Sequence, residues 1–313
     1  MEQLKNSPES ASISHITSTH IFIQTLREYI ASEDEHLRGN KDGLLKVMKL
    51  ALSGIEQKKF IFSLSDFPEN ERQVFTNFLK VKADSSSKDK ILDGSRQFFF
   101  VHLLWQELFA AMQLMVIAEE NQFKEYLQKL FKDEWRSVVH FLYGLLNGAS
   151  QKSLAEMFTF RSQLSEKREL LESLLRQSIV TDGEYNPRNR LVLPCSLAFE
   201  ANQSSITEVV IAHLPDTLEL PDDIQPKDAV AISYVLSYKS PSQRKFTIEM
   251  TDAKRFHGKS LKLLLDAANI NGHRVSDDVY QLRCIGGLPQ GLNQLYTDKI
   301  QFRNVNRFLK NVC

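Results

Sequence analysis

The run from Phe98 to Ala118 constrains this chain more than any other stretch. Gln97-Phe98-Phe99-Phe100-Val101 reads as a short strand, and a helix is expected to follow from near His102 through Leu104 to Glu120. His102, Gln106, Glu107 and Gln113 interrupt the apolar pattern, leaving it well short of the roughly 20 predominantly apolar residues that a bilayer demands. The segment must instead be buried inside protein. Phe98, Phe100, Trp105 and Phe109 fall on one face, by alternation in the strand and by spacing of about four in the helix, so this aromatic stripe is expected to be core and not a ligand box.

Composition agrees with a helical chain. With 20 Phe but only 12 Gly and 9 Pro, packed helices with short connections are favoured over an all-β sandwich, which needs many turns. The 313 residues leave room for roughly two domains of about 150 residues each. Lys and Arg (39) balance Asp and Glu (39), which removes the long-range pull toward nucleic acid or an anionic membrane; binding to either would need a local patch. Cys195, Cys284 and Cys313 form no C-x-x-C pair, so neither a disulfide framework nor a thiolate metal site is indicated. The polar start MEQLKNSPESASIS has no apolar signal region, and a cytoplasmic location is expected, where the sequon Asn202-Gln203-Ser204 would not be glycosylated.

Along the chain, residues 1–15 read as a disordered tail. Ile21, Phe22, Leu26 and Ile30 then recur at helical spacing, with Ser18 or Thr19 placed to cap. A second helix is expected over 44–57, ending at the cations Lys58 and Lys59. Phe60-Ile61-Phe62 follows as a short strand, Ser65-Asp66-Phe67-Pro68 as a turn, 83–90 as a solvated loop, and then the strand at 97–101. Helix, helix, strand, loop, strand is the order of a winged helix. Further helices are expected over 122–131, 135–146, 153–160 and 164–176, with Gly148 and Asp182-Gly183 as breaks and 184–195 as a connector carrying two prolines. Beyond these, β-like runs at 217–220, 246–250, 279–284 and 300–303 alternate with helical segments at 229–237 and 260–268. Their starts lie about 29, 33 and 21 residues apart, a loose match to a degraded leucine-rich-repeat array of about three units.

The segment from Gln97 to Ala111, QFFFVHLLWQELFAA, resembles the F-x-F-x-H-x-x-x-Q-E-F-x-A-A signature of the NACHT and leucine-rich-repeat (NLR) innate immune receptors. Leu50 to Ser63 is similar to the family's L-A-x-x-G-I-x-x-K-K-x-x-F-S stretch, and Trp135 with His140 to Asn147 to its R-F-L-x-G-L-L-N helix. Leu220, Asp228 to Leu236 and Phe246 to Met250 resemble the start of the family's repeats. The likeness covers residues 16–270. It implies a mainly α chain with a winged-helix domain over 16–117, a second helical domain over 118–215 and a short α/β leucine-rich-repeat-like region over 216–313. The family's nucleotide-binding core and N-terminal signalling domain have no counterpart in these residues. The resemblance further implies that the winged-helix His, here His102, contacts the β-phosphate of ADP when a NACHT core supplies the nucleotide; otherwise His102 caps backbone groups at the strand-to-helix junction.

Catalytic chemistry has no clear carrier in the sequence. The nearest approach to a phosphate loop, Ala253 to Ser260, has Ala253 where the first glycine should stand, and its letters fit a repeat equally well. No H-E-x-x-H, G-x-S-x-G or C-x-x-C occurs, and the eight His do not bracket Cys or Asp at metal-ligand spacing. Lys41, Lys46, Lys49, Lys58 and Lys59 raise a DNA-reading winged helix, but Asp42 and Glu56 dilute the set. The expectation is therefore a non-catalytic regulatory or sensor part of an intracellular immune receptor, without metal or cofactor of its own. It would act on a protein partner such as a full-length NLR relative or an immune ligand, with no membrane and no nucleic-acid role. The alternatives are an incomplete piece of an ATP-dependent STAND-type NTPase switch, whose core lies upstream of Met1, and a winged-helix DNA binder.

Overall fold

The computed structural model describes residues 17–32, 41–67, 79–82, 97–116, 120–130, 132–157, 164–181, 188–221, 224–242, 244–250 and 258–275. The chain is mainly helical. It divides into two compact units, one of residues 1–178 and 197–209, the other of 179–196 and 210–313.

In the first unit, α1 (Ser18–Ser32) and α2 (Lys41–Glu56) precede β1 (Phe62–Ser63), β2 (Leu79–Lys82) and β3 (Gln97–Phe100). The strands form an antiparallel sheet in the order β1-β3-β2, with Phe62 opposite Phe98 and Leu79 opposite Phe100. The strand expected at 60–62 starts two residues later and ends one later, and β2 was not foreseen, because Leu79-Lys80-Val81-Lys82 offers only two apolar side chains. Next come α3 (Leu103–Val116), α4 (Glu120–Leu127), α5 (Arg136–Leu145), α6 (Gly148–Met157) and α7 (Leu164–Thr181). Helix α3, buried from Gln106 to Met115, packs on α2 and on α5, and α1 packs on α5 and α6. Close approach of α1 to α5 depends on Gly144, since a methyl group there would overlap the Thr19 side chain.

The aromatic stripe is core, as its spacing predicts. Phe98, Phe100 and Phe109 are buried, and their rings meet one another and their neighbours: Phe67–Phe98 at 5.1 Å, Phe100–Phe109 at 5.9 Å and Trp105–Phe109 at 6.0 Å between centroids. Phe22 on α1 joins edge-on, 5.1 Å from Trp105 and 5.5 Å from Phe141. Such pairs contribute about 0.5–1.5 kcal/mol each beyond their area.

The break expected at Gly148 falls at 146–147 between α5 and α6, and Gly148 itself is the first residue of α6. Asn147 explains the placement: its Oδ1 accepts the Ala149 N–H at 2.9 Å while its carbonyl accepts the Gln151 N–H at 2.9 Å, an N-cap in sequence and geometry. The expected connector over 184–195 also differs. A π-helical turn at Arg188–Val192 leads directly into α8 (Leu193–Ala201), and Pro194 sits in its first turn, where a missing N–H breaks no regular α-helical ladder. Helix α9 (Ser204–His213) covers a region left unassigned by the sequence pattern.

The second unit contains β4 (Thr217–Leu220), α10 (Pro226–Ser237), β5 (Thr247–Met250), α11 (Gly258–Ile270) and β6 (Arg274–Val275). The three strands are parallel, in the order β4-β5-β6, with Thr217 opposite Thr247 and Thr247 opposite Arg274. Leu218, Leu220, Ile248 and Val275 turn inward, and α10 packs on α11. Pro226 occupies the first turn of α10 without cost, and the Asp228 carboxylate accepts the Gln225 N–H at 3.1 Å, closing that N-terminus. Helix α11 ends in a Schellman turn, with Gly272 at φ 64°, Gly272 N–H on Asn269 O at 3.1 Å and His273 N–H on Ala268 O at 2.9 Å. The runs expected at 279–284 and 300–303, and residues 253–257 of the phosphate-loop-like stretch, lie outside the described residues.

Candidate functional site

Strand β3 stops at Phe100 because the chain must bend to enter α3, and Val101 and His102 make that bend. The first N–H groups of any helix lack intrahelical partners. His102 satisfies two of them: its Nδ1 accepts the Leu104 N–H at 3.1 Å, and its carbonyl accepts the Trp105 N–H at 2.9 Å. With Nδ1 serving as an acceptor, the neutral ring carries its hydrogen on Nε2. The residue is solvent-exposed, so this second nitrogen remains a donor for a ligand or partner.

What surrounds His102 is more distinctive than the ring itself. Val101 and Leu103, its chain neighbours, are 55% and 44% exposed, and Phe60 and Ile61 are 48% and 53% exposed. The antiparallel register Phe62↔Phe98 brings the chain entering β1 alongside the end of β3, and Gln106 Nε2 donates to the Lys59 carbonyl at 3.0 Å, tying that entry to the first turns of α3. Four of the nine exposed large apolar side chains among the described residues therefore lie around the entry to β1 and the exit from β3. Single exposed apolar residues are ordinary on protein surfaces; a neighbouring set is the feature that contact faces have in common.

Cations beside this face are engaged. Lys59 Nζ lies 2.6 Å from Asp66 Oδ1, and Lys58 lies 3.4 Å from Glu134. Burial pushes the Asp66 carboxyl up, but hydrogen bonds from Lys59 and from the Ser63 N–H and hydroxyl outweigh it and hold the group below its ordinary value. Of the five lysines that raise a DNA-reading surface, these two thus have carboxylate partners.

Other candidate chemistry is dispersed. Cys195 is a free thiol, fully buried, and burial pushes its pKa up, which disfavours the nucleophilic thiolate. Among the described residues no group of three or more His, Cys, Asp or Glu could hold a metal ion, and no helix is long and apolar enough to cross a membrane. The exposure of Phe60, Ile61, Val101 and Leu103 is not legible in the sequence, where Phe60-Ile61-Phe62 reads only as a short strand and Val101 and Leu103 flank His102 in an otherwise apolar segment.

No protein-family model matches the chain, and no curated protein matches it in sequence. The likeness to NLR receptors rests on the residues quoted for it.

Proposed function

We propose that this chain is a non-catalytic, NLR-like regulatory part of a cytoplasmic immune receptor, acting by protein contact through the face around His102. The observation that carries the reading is the exposed set Phe60, Ile61, Val101 and Leu103 bordering an exposed His ring. In the family that this sequence resembles, the matching His lies where the winged helix meets the nucleotide-binding core, and an apolar border suits such a contact. A winged-helix reading of 16–117 draws support from the β1-β3-β2 antiparallel order with α2 and α3 packed together. A repeat-like reading of the C-terminal region draws support from parallel strands recurring at Thr217, Thr247 and Arg274 with a helix between each pair. The partner is the nucleotide-binding core of an NLR protein, with ADP or ATP supplied by that core and not by this chain.

The test is binding of the full chain to a panel of isolated ADP-loaded NACHT cores. Wild type is expected to bind at least one core, and the double variant Ile61→Lys/Leu103→Glu to lose at least tenfold in affinity. His102→Ala should lose affinity for the ADP-loaded core more than for the empty one. Failure of wild type to bind any core, or unchanged binding by the double variant, would overturn the proposal.

A further inference from the structure

In the second unit a cavity of about 320 Å³ opens where α10 and α11 end and β5 begins. Its apolar wall is Ile211, Val235 and Phe246, and three cations, Lys239, Arg244 and Lys245, line it with no carboxylate among the described lining residues. A concave site with an apolar wall and a few convergent polar groups is the usual form of a small-molecule site.

Helix C-termini carry partial negative charge and would ordinarily repel an anion. Here their carbonyls are already covered. Asn271 Nδ2 donates to Leu236 O at 2.7 Å and Tyr238 O at 3.0 Å, and His273 Nε2 lies 2.9 Å from Leu236 O. Arg244 Nη1 donates to Ile211 O at 2.6 Å and Ala212 O at 2.9 Å. The Arg244 guanidinium also pairs with the exposed Asp216 at 2.8 Å and lies 5.3 Å from the centre of the Phe246 ring. Arg244 is thus a fixed wall with its charge compensated.

The two lysines are different. Lys245 donates to the Asn271 carbonyl, a neutral partner, so its charge is not balanced. Lys239 is exposed and makes no hydrogen bond or ion pair among the described residues. The cavity therefore holds an excess of positive charge beside apolar surface. The geometry points to a binding site for a small organic anion, a carboxylate or phosphate head on an aryl or short aliphatic body, with Lys239 and Lys245 holding the head and Phe246, Val235 and Ile211 the body. Each ammonium offers three donors on a flexible stem, which suits either head group.

Calorimetric or ligand-detected NMR titrations of the full chain with phenyl phosphate, benzoate, benzyl alcohol and inorganic phosphate test this. One of the two aryl anions is expected to bind saturably, at least tenfold tighter than benzyl alcohol or inorganic phosphate, and the preferred anion identifies the head group. Lys239→Glu and Lys245→Gln should each weaken binding at least fivefold. Lys239→Glu should do so with an unchanged melting temperature, because Lys239 is exposed and holds no hydrogen bond or ion pair among the described residues. The inference fails if neither aryl anion saturates the chain, if benzyl alcohol binds as well as the anions, or if both variants bind like wild type.

Discussion

The Glu200 carboxylate closes the N-terminus of α1 by taking two hydrogen bonds from Thr19, one from its N–H at 3.2 Å and one from its hydroxyl at 2.7 Å. Its other oxygen accepts from the Ser18 N–H and hydroxyl in the same way. Glu200 and Thr19 are both buried, and 181 residues separate them in the chain. A negative charge at a helix N-terminus is favourable twice over, through the unpaired N–H groups and through the helix dipole.

Glu200→Gln keeps the shape but removes the charge and turns an amide NH₂ toward two donors. The expected loss is about 2–3 kcal/mol, the scale of charge-assisted hydrogen bonds in buried surroundings. Urea denaturation of the full chain measures it. A loss under about 0.5 kcal/mol would mean that the carboxylate is not the cap described.

Helix α2 ends in a Schellman turn like that of α11, with Lys59 N–H on Gly54 O at 2.8 Å and Lys58 N–H on Ile55 O at 3.2 Å. At the left-handed position, however, stands Lys58 at φ 55°, where α11 has Gly272. A side chain in that conformation costs about 1–2 kcal/mol. Lys58→Gly should therefore raise thermal stability by about 1 kcal/mol once the exposed pair with Glu134, worth little, is lost. A lower melting temperature for this variant would contradict the argument.

Lys167 is buried, donates to Leu114 O at 3.2 Å and Met115 O at 2.6 Å, and lies 5.4 Å from the Phe123 ring centre. Burial lowers its pKa to about 8. Between there and the unfolded value near 10.4, the unfolded chain binds a proton that the folded chain does not, so stability rises with pH across that window. The gain is on the order of 3 kcal/mol when complete and is lost again as pH falls through 8. Denaturation midpoints at pH 7.5 and pH 10 should show the rise in wild type and a flatter response in Lys167→Met, where no amine remains to titrate.

Much of the helical framework was legible in the sequence because its cause is local. The Leu103–Val116 helix and the β3 strand before it follow from apolar side chains at helical spacing after a short alternating run, and the aromatic stripe follows from the same two periods. Strand β2 was not legible, since two apolar residues among two lysines acquire strand character only when paired with β3. The break near Gly148 was legible but its position was not: the glycine's own residue type favours a break, and Asn147 beside it supplies the cap that starts a helix. His102 could be placed at a junction from the sequence, but the exposure of Phe60 and Ile61 beside it could not, because their position depends on the Phe62↔Phe98 register.

The amino-acid sequence determined by itself that this chain is mainly helical and that Phe98, Phe100 and Phe109 are core, since both follow from periodicities that hold within a dozen residues. Tertiary structure alone decided where Glu200 finds Thr19, which apolar side chains stay in solvent around His102, and how Lys239 and Lys245 come to share a cavity with Phe246 and Ile211. The reason is physical. Local patterns record which face of an element avoids water, whereas the partner of a buried carboxylate, or the absence of a cover over an apolar edge, depends on elements distant in the chain.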